Sequence, residues 1–134
     1  MTDTLDWPRI ADDLNAQGWA VVGPLLTPAT CEALQALYAR PERFRSRIVM
    51  QRHGFGQGEY QYFDNPLPDP LPRLRARLYA GLAPVANGWA TRLERPGFPD
   101  SLDDLTAQCR TAGQTRPTSL MLRYGPGDYN RLHQ

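Results

Sequence analysis

Proline and glycine punctuate this chain so often that no long uninterrupted element is expected from it. Its 134 residues include 13 prolines and 11 glycines, a density that implies many turns and short elements. The densest cluster is 64–72, where four of nine positions are proline, and it predicts a stiff irregular connector. Elsewhere the same residues mark helix ends. Asp6, Pro8 and Gly18 bracket a helix over 9–17 as cap, first-turn proline and stop. Trp19 to Val22 reads as a short strand closed by Gly23-Pro24. Thr27-Pro28 opens a second helix, running to about Ala39, with Cys31, Leu34, Leu37 and Tyr38 as its buried stripe. A third starts at Pro72 with Leu74, Leu78, Leu82 and Val85 at helical spacing, and Pro84 is expected to kink or break it. Ser101 caps a short fourth helix, with Asp103 and Asp104 in its first turn.

Strand character appears at 47–52 and again at 59–63, joined by the glycine-rich His53-Gly54-Phe55-Gly56-Gln57-Gly58. Glycines so spaced imply a hairpin tip or a close backbone approach. They are not a dinucleotide fingerprint, since the spacing is wrong and no helix follows, and a phosphate-binding P-loop is excluded because the chain has no lysine. His53 is either a ligand or base, or a polar surface group. The last stretch predicts a buried strand over 118–124, a turn at Gly125-Pro126-Gly127-Asp128, and a second strand over 129–134. In that second strand Tyr129, Arg131 and His133 share one face.

Length supports one domain with a single core. The formal net charge of +1 provides no global field to recruit nucleic acid or an anionic membrane, so neither is expected as a partner. All 15 basic residues are arginine. No apolar run approaches the ~18 residues of a membrane span, and the N-terminus lacks the basic and apolar regions of a secretory signal. The cytoplasm is therefore the expected compartment, with Cys31 and Cys109 as two buried, reduced thiols.

Three blocks of this sequence together resemble the iron(II)- and 2-oxoglutarate-dependent oxygenases, in a bacterial branch similar to prolyl hydroxylases. The blocks are Arg-His-Gly-Phe-Gly-Gln-Gly-Glu-Tyr-Gln-Tyr-Phe at 52–63, Ala-Gly-Gln-Thr-Arg-Pro-Thr at 112–118, and the run from Arg123 to His133. The resemblance implies an α+β fold in which N-terminal helices, over about 1–117, pack on the opening strands, over about 118–134, of a double-stranded β-helix. That jelly-roll, or cupin-like, barrel is incomplete in this chain. The resemblance also assigns His133 as the first of two histidine ligands to iron(II), and Tyr124 as a hydrogen-bond partner of 2-oxoglutarate. Three protein ligands on one face of an octahedral iron leave positions for 2-oxoglutarate and dioxygen. The carboxylate ligand belongs two residues after His133, outside this chain, so the expectation is an inactive fragment of an enzyme whose substrate is a small molecule or peptide. No complete set of catalytic residues is assigned.

Open sheet edges in such a fragment would invite self-association. The alternative is a non-catalytic module whose basic stretch 40–52, carrying Arg40, Arg43, Arg45, Arg47 and Arg52, contacts an anionic partner. A third reading is a different metal enzyme completed by ligands from another subunit.

Overall fold

The computed structural model describes residues 4–133. They form two compact units, one built from residues up to Cys31 with Pro68–Thr115, the other from Glu32–Leu67 with residues from Arg116 onward.

The first unit is helical. Helix α1 spans Trp7–Gln17: the Asp6 carboxylate accepts from the Arg9 amide at 3.1 Å, and Gly18 ends the helix at φ 82°. Left-handed backbone at that position suits a residue without Cβ. Helix α2, Pro28–Leu37, begins in this unit and from Glu32 onward belongs to the second; it starts where Thr27 Oγ1 accepts from the Thr30 amide. It ends two residues short of the expected Ala39, and its stripe is narrower than predicted: Leu34, Leu37 and the adjoining Tyr38 are half-buried while Cys31 is exposed. The two thiols are free, but neither is buried, since Cys109 is only half-covered.

Residues 19–22 form no strand. Trp19 is 59% and Val21 69% exposed. Their carbonyls accept from the side chains of Gln17 and Arg9 instead of from a neighbouring strand, and a strand without a ladder has nothing to hold it.

Helix α3 is continuous over Leu71–Arg92 despite Pro84. A proline removes one helical hydrogen bond and crowds the preceding turn, so packing on both sides must outweigh it. The Trp7 indole lies where a side chain on Gly81 would stand, and Trp89 Nε1 donates to Asn15 at 2.7 Å. Asn87 holds Phe98 by two bonds, accepting from its amide at 2.6 Å and donating to its carbonyl at 3.1 Å. The buried positions of α3 are Ala83 and Ala90, two turns apart, whereas Leu82 is 41% exposed. Small residues at that spacing let neighbours approach closely, which the leucine pattern did not reveal. Helix α4, Leu102–Thr111, is capped by Ser101, whose hydroxyl accepts from the Asp104 amide at 3.1 Å. None of these helices is long and apolar enough to cross a membrane.

The second unit carries the strands. β1, Phe44–Val49, pairs antiparallel with β3, Glu59–Phe63, and β3 pairs antiparallel with β4, Leu120–Arg123. Its core is Phe44 stacked on Phe63 at 4.9 Å between centroids, with Met50 and Phe63 each only 1% exposed. β1 ends before the expected 52 because the chain turns into a 3-10 helix at Met50–His53. The Met50 amide donates to the Gly58 carbonyl at 3.0 Å, anchoring that turn under the glycine loop. β4 is an edge strand, not a buried one: Leu120 and Leu122 are 37% and 48% exposed.

The largest departure from expectation lies at the end. β2, Gly56–Gln57, pairs with β5, Tyr129–Asn130, in a separate two-stranded sheet. The strands either side of the 125–128 turn are therefore not a hairpin. β5 is also shorter than the expected 129–134, of which Gln134 lies outside the described residues. The fold is thus mixed helix and sheet, with no closed barrel among the described residues.

Candidate active site

The turn that delivers the terminal segment is built as its sequence demands. Asp128 N donates to the Gly125 carbonyl at 3.1 Å, Gly125 N donates to the Asp128 carboxylate at 2.7 Å, and Gly127 has φ 82°. Proline sets one φ, glycine allows the positive one, and the aspartate closes the loop.

Within the glycine block at 54–58, Gly58 lies under Tyr124, and Gly56 packs against the backbone of 129–131, two residues before His133. A Cβ on Gly58 would stand 2.7 Å from the Tyr124 ring, so that ring lies directly on the glycine. A Cβ on Gly56 would collide with the Tyr129 carbonyl oxygen. Close backbone approach, one of the two sequence expectations, is what these glycines serve. The pairing extends one residue further, where Arg131 N donates to the Phe55 carbonyl at 2.8 Å. The Arg131 carbonyl in turn lies 2.7 Å from His133 Nδ1. A carbonyl can only accept, so Nδ1 is the donor in this bond, and the tautomer with its proton there has its lone pair on Nε2. His133 is exposed. His53 is exposed as well and stacks on Phe55 at 5.3 Å.

A groove of about 690 Å³ opens on one face of the three-stranded sheet. Register places Arg47 opposite Gln61 and Gln61 opposite Met121, while Glu59 lies opposite Arg123. The Glu59 carboxylate accepts from Arg47 Nε at 2.6 Å and from its NH2 at 3.0 Å, a two-pronged ion pair, and from the Tyr38 hydroxyl at 3.0 Å. Gln61, 7% exposed, donates to the Tyr38 carbonyl. The Arg123 guanidinium lies 5.8 Å over the Tyr38 ring. Tyr124 lines the same groove. The cluster was missed in the sequence because its members come from four elements. The available signal was weak: one acidic residue in a strand facing an arginine-rich one.

The Arg47 hydrogen bonds hold Glu59 below the usual carboxylate range, outweighing its partial burial. Burial first, and then the bond to Glu59, push Tyr38 from its ordinary 10.0 up to about 12. The signs fix two limbs of a stability profile. A lowered acid contributes stability above its unfolded value of 4.5 that is lost as pH falls through the folded one. A raised phenol contributes stability below 10.0 that is lost as pH rises toward about 12. Denaturant unfolding against pH is expected to show both, with the acid limb flattened and the alkaline limb moved downward in Glu59→Gln. Superimposable profiles for the two proteins would count against this cluster.

Three of the four arginines in 40–47 are engaged within the fold. Arg40 pairs with Glu42 at 3.0 Å, Arg47 pairs with Glu59, and Arg45 lies 4.3 Å over the Tyr62 ring and donates to the Pro117 carbonyl. Among the described residues no group of three His, Cys, Asp or Glu side chains could hold a metal ion.

Comparison with known proteins defines the class. A family described as "Oxygenase, catalysing oxidative methylation of damaged DNA" (Oxygenase-NA) matches residues 58–134, more than half of the chain. The chain belongs to this oxygenase family. Two uncharacterized proteins of Mycobacterium tuberculosis, Rv2227 of strain H37Rv and MT2286 of strain CDC 1551, are each 51% identical to it over 73 residues. That stretch is 54% of this chain but only 31% of each relative. No solved structure matches.

Proposed function

We propose that the protein is a cytoplasmic iron(II)- and 2-oxoglutarate-dependent oxygenase acting on damaged DNA, with His133 as the first metal ligand and Tyr124 contacting 2-oxoglutarate. The observation that carries this reading is the His133 ring held at Nδ1 by the Arg131 carbonyl, with Nε2 left as donor to a metal. Metal-binding histidines are commonly oriented by such a bond from the other ring nitrogen. Membership of an oxygenase family supports the reaction class, and the two free thiols suit a reducing compartment. The family's description names DNA, and damaged DNA is the substrate class proposed, where the sequence alone led to a small molecule or peptide and to no nucleic acid.

Iron(II) with 2-oxoglutarate supplies oxidation of a C–H bond by dioxygen, with 2-oxoglutarate leaving as succinate and carbon dioxide. The described residues offer that metal one imidazole and no complete ligand set, so no step is routed through it. The role of this segment is to seat the Tyr124 ring on Gly58 and to carry the His133 imidazole just beyond the strand that pairs with Gly56 and Gln57. The full-length protein, supplied with iron(II), 2-oxoglutarate and an oligonucleotide bearing a methylated base, is expected to release succinate in step with base modification. Absence of succinate under every iron and substrate condition would refute the assignment.

A further inference from the structure

We infer that the groove on the Arg47, Glu59 and Arg123 face of the sheet holds one unstacked nucleotide of a DNA strand, with the two guanidiniums on its phosphates. The inference rests on DNA being the substrate class, and it names the surface that would grip it. Enzymes that act on a base in DNA take that base out of the stack, so they need a site of nucleotide size with phosphate contacts at its rim. A groove of about 690 Å³ lies within the range of small-ligand sites, too small for a duplex and adequate for one nucleotide.

Charge on this face is positive in spite of the near-neutral chain. Arg47, Glu59 and Arg123 project from three adjacent strands on the same side, two cations against one anion. Glu59 takes two N–H donors of Arg47, and a guanidinium has five, so three remain while the head group is held in one orientation. Arg123 makes no ion pair among the described residues. It is exposed, and its guanidinium lies over the Tyr38 ring. A planar fork fixed in this way suits phosphate recognition. Met121 and Leu122 supply apolar wall beside these charges, and Tyr124 lines the same groove.

Glu59 acts as a brake on this site, because its carboxylate repels the same phosphates that Arg123 attracts. That gives the test a variant of opposite sign. Binding of a fluorescein-labelled single-stranded oligonucleotide is measured by anisotropy across a salt series, without iron or 2-oxoglutarate. Arg123→Gln and Arg47→Gln are each expected to weaken binding about tenfold at low salt and to reduce the slope of log K against log salt by roughly 0.7, one phosphate contact on single-stranded DNA. Glu59→Gln is expected to tighten binding several-fold, which loss of fold cannot produce. The duplex of the same sequence is expected to bind more weakly than the single strand.

If all three variants bind as the wild type does, the groove is the wrong surface while DNA remains the substrate class. A duplex that binds as tightly as the single strand removes the unstacked nucleotide. Wild-type protein that binds no DNA even at low salt removes both the groove and the DNA substrate, and leaves the iron and 2-oxoglutarate chemistry to its own assay.

Discussion

The His133→Ala variant of the full-length protein is expected to lose iron(II)-dependent succinate formation by more than about 100-fold, the scale set by outer-shell substitutions at metal sites, which remove less than a whole ligand. Stability should move by no more than about 0.5 kcal/mol, as for other surface substitutions, because His133 is exposed and its one described bond is to the Arg131 carbonyl two residues away. That separation between activity and stability is what marks a ligand. His53 provides the internal control. It too is an exposed imidazole, but it stacks on Phe55, and His53→Ala should leave turnover close to wild type. Equal loss in both variants would point to a general dependence on the terminal sheet, and no loss in His133→Ala would remove the iron ligand from this position. Purified protein should also bind iron(II) more weakly in the His133 variant alone, measured by titration, so the assignment does not hang on turnover.

What could be read from the sequence was local, and what could not was a matter of partners. Asp6, Gly18, Thr27 and Ser101 were legible as caps because a helix end is settled by residues within three positions of it. The 125–128 turn was legible for the same reason. Pro84 was misleading: its local preference is real, but the neighbours packed along α3 outweigh it. The apolar 19–22 segment has strand composition and no strand to pair with. Composition likewise could not show that β4 would be an edge, leaving Leu120 and Leu122 in contact with solvent. The pairing of β5 with β2, Gly56 opposite Asn130 and Gln57 opposite Tyr129, joins segments more than seventy residues apart and has no local signature at all. The groove is illegible for the same reason, since Tyr38, Arg47, Glu59 and Arg123 meet only when four elements do. Resemblance supplied His133 and Tyr124, and the structure added the glycine beneath the Tyr124 ring and the strand pairing that precedes His133.

Gly56→Ala is expected to release the terminal segment while leaving the three-stranded sheet intact. Gly56 has φ 129°, a region that residues with a side chain rarely enter, and its added Cβ would meet the Tyr129 carbonyl oxygen and, at 3.1 Å, the Arg131 nitrogen. The neighbouring atoms are backbone and cannot swing aside. Strain of this kind is worth about 1–3 kcal/mol before the collision is counted, and the two-residue pairing of β2 with β5 is too short to absorb it. Once that pairing opens, the Arg131 amide loses the Phe55 carbonyl, and the Arg131 carbonyl no longer holds the His133 ring in place. Misplacement of a reacting group by about 1 Å can reduce rate on the order of 100-fold, so Gly56→Ala should approach His133→Ala in activity. Hydrogen exchange separates the two: the Arg131 amide should lose protection in Gly56→Ala and keep it in His133→Ala. Gly54→Ala is the matched control, since φ there is 70° and no atom lies within 4 Å of the added Cβ. It carries only left-handed strain, about 1–2 kcal/mol, with the Arg131 amide still protected. If Gly56→Ala proves as mild as Gly54→Ala in both exchange and turnover, the glycine loop does not position the histidine, and the link from strand pairing to imidazole fails.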